Sequence, residues 1–200
     1  MPNFKKQEIF FLKLLWLSSR QLNGISRKFT VSVSEFSIGT NQIYFCRMYS
    51  KQEAAALRQA FWTSFGQYMS PVPSAEGEKV NWVNYKTGVK DIRFRMESDN
   101  KKAIIAIELT HRDKGVRLLY FEQFQQLKAI FSSIAGDHWV WQPFATNEAG
   151  VTISKIYSEK TGISVFKKED WPELISFFKE RMVVLDRFWS EVKYSFESLR

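Results

Sequence analysis

KDIRFRMESDNKKAIIAIELT, Lys90 to Thr110, is the stretch on which the fold turns. Its first half alternates strictly. Ile92, Phe94 and Met96 fall on one side, and Asp91, Arg93, Arg95 and Glu97 on the other. A period of two is the signature of a strand with one buried face. Ser98, Asp99 and Asn100 supply turn chemistry. The second half puts Ile105, Ile107 and Leu109 on one face and Ile104, Ala106 and Glu108 on the other. Two strands joined by a short polar turn form an antiparallel hairpin. VNWVNYKTG, Val80 to Gly88, precedes them, and we expect it to add a third strand to a meander.

Working outward, Ser50-Lys51-Gln52-Glu53 reads as a capping box opening a helix. Leu57, Phe61, Phe65 and Met69 recur at spacing four, until Pro71 and Pro73 stop the pattern. Beyond the hairpin, Asp113 is a helix cap. Phe121, Phe124, Leu127, Lys128, Phe131 and Ile134 predict one long helix to Ala135, with Gly136 as its C-cap. HWVWQPF, VTISKIY and GISVF read as short strands. Asp170-Trp171-Pro172-Glu173 opens the last helix, with Asp170 as N-cap and Glu173 closing a capping box. Its stripe runs Leu174, Phe178, Met182, Leu185, Trp189, Val192 and Phe196. The order is helix, three strands, helix, two or three strands, helix. The fold class is therefore α+β, a mainly antiparallel sheet of five or six strands packed against three helices.

Aromatic residues make up 16% of the chain, enough for a dense core. A single cysteine, Cys46, excludes a disulfide framework and a cysteine-rich zinc site, and implies a reducing, cytoplasmic setting. The net charge is +8, of which +5 belongs to residues 1–47. IFFLKLLWL, Ile9 to Leu17, follows Lys5 and Lys6 as in a signal peptide, but Lys13 interrupts it and no small-residue cleavage site follows promptly. It is far short of the ~20 apolar residues that span a bilayer. We expect residues 1–47 to be an N-terminal extension, either outside the natural protein or poorly ordered. Met48 is then the initiator, and residues 48–200 form a single α+β domain; intact-mass measurement tests this.

Glu108, a carboxylate inside an apolar run, has two readings. In one, Asp91 and Glu108 hold Mg²⁺ for phosphodiester hydrolysis; sixteen residues lie between them, on adjacent strands. The Glu-x-Lys that such nucleases carry is absent here, because Thr110 occupies the lysine position. In the other, Glu108 lies on a polar sheet face and pairs with Arg93 or Arg95. His111 and His138 are too few for a histidine cage. No serine-nucleophile elbow, phosphate-binding glycine loop or H-E-x-x-H is present. HRDKG, His111 to Gly115, lacks the kinase signature around it. Trp139 and Trp141 fit core packing better than base stacking. Lys86, Lys90, Arg93, Arg95, Lys101 and Lys102 gather around the hairpins, either tracking phosphates or keeping a sheet edge soluble.

FWTSFGQYM, VNWVNYKTGVKDIRFRM, AIIAIELTH, FEQF, WPELISFF and LDRFWSEVKYSFE together resemble the bacterial domain of unknown function 4268 over about Met48 to Glu197. Members of that family stand alone or follow a nuclease-like domain. The resemblance implies an accessory role near nucleic acid, in DNA processing or defence, and brings no catalytic residues with it. We therefore expect a non-catalytic, macromolecule-binding module without cofactor or membrane attachment. Nucleic acid is the first partner, contacted by Arg93, Arg95, Lys101 and Lys102. The alternatives are a Mg²⁺-dependent nuclease using Asp91 and Glu108, and a protein-interaction or self-assembly domain using the final helix.

Overall fold

The computed structural model describes residues 50–199. The expectations for residues 1–47 and for Met48 lie outside the described residues. Helix α1 (Lys51–Met69) starts on the expected capping box. The Ser50 hydroxyl accepts from the Glu53 N–H, and the Glu53 carboxylate accepts from the Ser50 N–H. A loop leads to β1 (Ile92–Ser98) and β2 (Lys102–Leu109), the expected hairpin. Helices α2 (Lys114–Gln126) and α3 (Lys128–Ala135) follow, then the hairpin of β3 (Val140–Thr146) and β4 (Thr152–Thr161). Helix α4 (Trp171–Val192) and a 3-10 stretch, Lys193–Leu199, close the domain. Among the described residues, no helix is long and apolar enough to cross a membrane.

The four strands form one fully antiparallel sheet in the order β1-β2-β4-β3. The α+β class stands, with four strands and four α-helices among the described residues in place of five or six strands and three helices. VNWVNYKTG is not a strand. The Asn81 side chain accepts from the Asn84 N–H, Gly88 takes a φ of 82°, and the Thr87 hydroxyl donates to the Ile92 carbonyl. Local polar side-chain bonds win there over apolar alternation. GISVF is a loop as well: its Ser164 N–H donates to the Asp170 carboxylate and its Val165 carbonyl accepts from the Trp171 indole. Asp170 consequently gives α4 no side-chain cap, contrary to the sequence reading, and Glu173 pairs with Lys160. The long middle helix breaks at Leu127. Nothing in the local chemistry of Gln125 to Lys128 marks that break.

One sheet face is the core. Ile92, Phe94, Ile105, Ile107, Leu109 and Ile156 are buried on it. Leu174, Phe178, Met182, Leu185, Phe188, Trp189 and Val192 of α4 are buried with them. Phe61 and Phe65 of α1 approach Phe178 at 6.2 and 6.0 Å between ring centres. Phe131 of α3 meets Phe188 at 5.0 Å and Trp139 at 5.2 Å. Each such side chain contributes roughly 1.5–3 kcal/mol by burial. The aromatic stripes are thus core, Trp139 included. Proline removes a ladder donor, so Pro143 fits an edge strand, and the β3 register slips between Gln142 and Ala145.

Candidate functional site

The opposite sheet face carries the residues singled out for chemistry. The register pairs Arg93 with Glu108, Arg95 with Ala106 and Glu97 with Ile104 across β1 and β2. It pairs Glu108 with Lys155 across β2 and β4. Glu108 is only 6% exposed. Its ion pair is with Lys155, at 3.6 Å, rather than with Arg93 or Arg95. Burial pushes its pKa above the ordinary glutamate range, and Lys155 opposes that shift without cancelling it. Lys155 also reaches Glu97 at 4.0 Å; Glu97 pairs with Arg95, which reaches Glu148 at 3.6 Å. The face is laced by alternating charges.

Asp91 precedes β1 and lies opposite Thr110, whose N–H donates to the Asp91 carbonyl at 2.8 Å. Asp91 and Glu108 therefore occupy diagonal positions on one face. The Asp91 carboxylate is 4.0 Å from the His111 imidazole. Each acid has its own basic neighbour. No group of three or more His, Cys, Asp or Glu side chains suited to a metal ion occurs among the described residues.

The basic residues divide differently from the sequence expectation. Lys102 is engaged with Glu159 at 3.1 Å. Lys101 is exposed at the hairpin turn, where its N–H donates to the Asp99 carboxylate. Arg93 and Arg95 instead join Lys86 and Lys90 around a hollow of 760 Å³ between β1 and residues 83–90. Among the described residues, four cations line it and no carboxylate does. Two further hollows, of 330 and 670 Å³, adjoin it. They share Trp62 with each other, and Arg95, Met96 and Val83 with the first. Together they make a valley along the outer edge of β1, with Glu97, Asp99 and Glu148 beside Arg58, Arg95 and Lys102 in the 330 Å³ hollow. Its walls are α1, through Arg58 and Trp62, and the loop of residues 79–90. Gly66 permits that approach, since a Cβ there would lie 3.3 Å from the Val83 side chain.

The loop wall is tied to α4. Buried Asp186 accepts from the Tyr85 hydroxyl and from the Ala75 N–H, each at 2.6 Å. Burial, reinforced by the bond to Asp186, raises the Tyr85 pKa well beyond its usual range. The Trp189 indole donates to the Thr87 carbonyl at 2.8 Å. Sequence reasoning missed three residues. Lys155 became visible only with the β2–β4 register. Asp186 is an acid on the buried stripe of α4, adjoining Leu185. Arg117, 5% exposed, lies four residues before Phe121 and seven before Phe124 on the apolar stripe of α2. It donates to the His111 carbonyl at 3.0 Å, while its Nε finds no partner among the described residues. A charge on an apolar stripe was the available signal for both Asp186 and Arg117.

These features define a class: an α+β domain whose antiparallel sheet, among the described residues, leaves the β1 edge unpaired beside a hollow lined by four cations. Residues 57–193 match the family described as Domain of unknown function (DUF4268), and the chain belongs to that family. No curated protein and no solved structure matches the chain.

Proposed function

We propose that this domain is a non-catalytic module that binds a polyanionic macromolecule, nucleic acid foremost, along the free edge of β1. The observation that carries the reading is the hollow lined by Lys86, Lys90, Arg93 and Arg95 with no acid among the described residues. Lys86, Lys90 and Arg93 make no ion pair among the described residues, so their charge is available to a ligand. Cations converging on one groove concentrate a positive field and attract phosphates. The test is a binding titration against salt. Each phosphate neutralised contributes about −0.7 to −0.9 to the slope of log affinity against log salt. Three or four contacts give a slope of roughly −2 to −4, and each single replacement by alanine reduces it by about one contact. Binding indifferent to salt, or to replacement of Lys86, Lys90 and Arg93 together, sinks the reading.

The hydrolytic alternative keeps one supporting observation, the diagonal placement of Asp91 and Glu108 on one face. Mg²⁺ held between them would polarise a phosphodiester. That reading requires cleavage that depends on a divalent cation and disappears in Glu108→Gln. The apolar stripe of α4, on which the self-assembly reading relied, is buried from Leu174 to Val192.

A further inference from the structure

We infer that the nucleic acid taken by this valley is a single strand, with unpaired bases on the backbone edge of β1; the inference rests on the polyanion reading above. Three observations converge. The first is the orientation of the β1 backbone. The Thr110 N–H donates to the Asp91 carbonyl and the Asp99 N–H to the Lys102 carbonyl, so odd-numbered positions bond across to β2. Ile92 turns the other way, its N–H donating to the Val89 carbonyl and its carbonyl accepting from Thr87. Phe94 and Met96 then present their N–H and C=O groups to the valley, with no partner among the described residues. Alternating donors and acceptors match the hydrogen-bonding edges of bases, which a duplex hides within its pairs. The second is Trp62, a partly exposed indole lining two of the three hollows and offering a stacking surface. The third is the placement of the cations beside that edge, where they can follow one phosphate backbone. A second copy of β1 paired antiparallel about Phe94 is a poor occupant, because that register sets Arg93 against Arg95.

The experiment is fluorescence anisotropy on the full chain, with a labelled oligothymidine of roughly 15 nucleotides. The same strand annealed to its complement and a polyglutamate competitor complete the set. The single strand is expected to bind at least tenfold tighter than the duplex. Trp62→Ala is expected to weaken it about fivefold to a hundredfold with the salt slope unchanged. Trp62→Phe, which keeps a ring in the packing with Phe65 and Phe178, is expected to retain most of the affinity and to guard against loss through unfolding. Equal or tighter duplex binding with a persistent salt slope overturns the single-strand assignment and leaves the polyanion reading standing. Displacement of the strand by polyglutamate at equal charge concentration also overturns it, in favour of an acidic peptide added at the sheet edge. Binding to none of the three overturns both.

Discussion

Glu108 is a carboxylate held out of water with one lysine nearby, and its protonation is tied to stability. Burial raises its folded-state pKa above the ordinary value of 4.5. At low pH both folded and unfolded forms carry the proton, so burial of the group is unopposed. As pH rises through 4.5 the unfolded chain ionises first, and stability falls until the folded-state value is passed. Glutamine has no such step. Glu108→Gln is therefore expected to melt at or above the parent at neutral pH, by up to about 1 kcal/mol, with the two curves merging below about pH 4. Lys155→Met acts in the opposite direction. It leaves the buried carboxylate without its cation, costs about 1–3 kcal/mol, and deepens the loss of stability with pH. Melting temperatures across pH check both. A clear loss of neutral-pH stability in Glu108→Gln would show that the attraction of Lys155 outweighs burial.

At the scale of elements, the segment between α1 and β1 is the unusual one. It runs from Ser70 to Asp91 without regular structure, longer than most connections in compact domains. Its order comes from tethers to α4, above all Asp186. Asp186→Ala removes the acceptor of two short bonds and is expected to cost about 3 kcal/mol. Amide hydrogen exchange should quicken across residues 75–88. Polyanion affinity should fall, because Lys86 and Lys90 lose their placement. The sign is diagnostic, since deleting a negative charge would by itself raise that affinity.

Much of this element map was legible in the sequence. The capping box at Ser50, the alternation through β1, the hairpin turn at Asp99 and the aromatic stripe of α4 each have a local cause. The strands expected at VNWVNYKTG and GISVF fail for another reason. Their buried apolar residues, Trp82 in the first and Ile163 and Val165 in the second, serve as anchors, while neighbouring polar groups close turns. The partner of Glu108 lies 47 positions away on β4, and no local pattern encodes that register. The basic cluster was legible as composition. Its division into Lys102, bound to Glu159, and the unpaired trio of the valley required the fold.

For the whole molecule, a net charge of +8 says less than where the charges point. Residues 48–200 carry only +3, and several of their cations are engaged with acids on the open sheet face. The 760 Å³ hollow differs in holding three exposed basic side chains, Lys86, Lys90 and Arg93, with no such partner among the described residues. Binding and folding should therefore separate. Lys86→Glu with Lys90→Glu is expected to shift stability by no more than about 0.5 kcal/mol per site, as is usual for exposed positions. Nucleic-acid affinity should drop by at least tenfold at low salt. The matched control reverses Lys114 and Lys128, which lie over Phe144 and Trp141 of β3 at the opposite sheet edge. Both double variants change the net charge by the same amount. If total charge attracts the ligand, the two lose affinity equally. If the valley binds it, the control stays within about threefold of the parent, since distant exposed charges are screened beyond ~10 Å. Titrations of both variants at one salt concentration distinguish these outcomes, and an equal loss would remove the valley from the account.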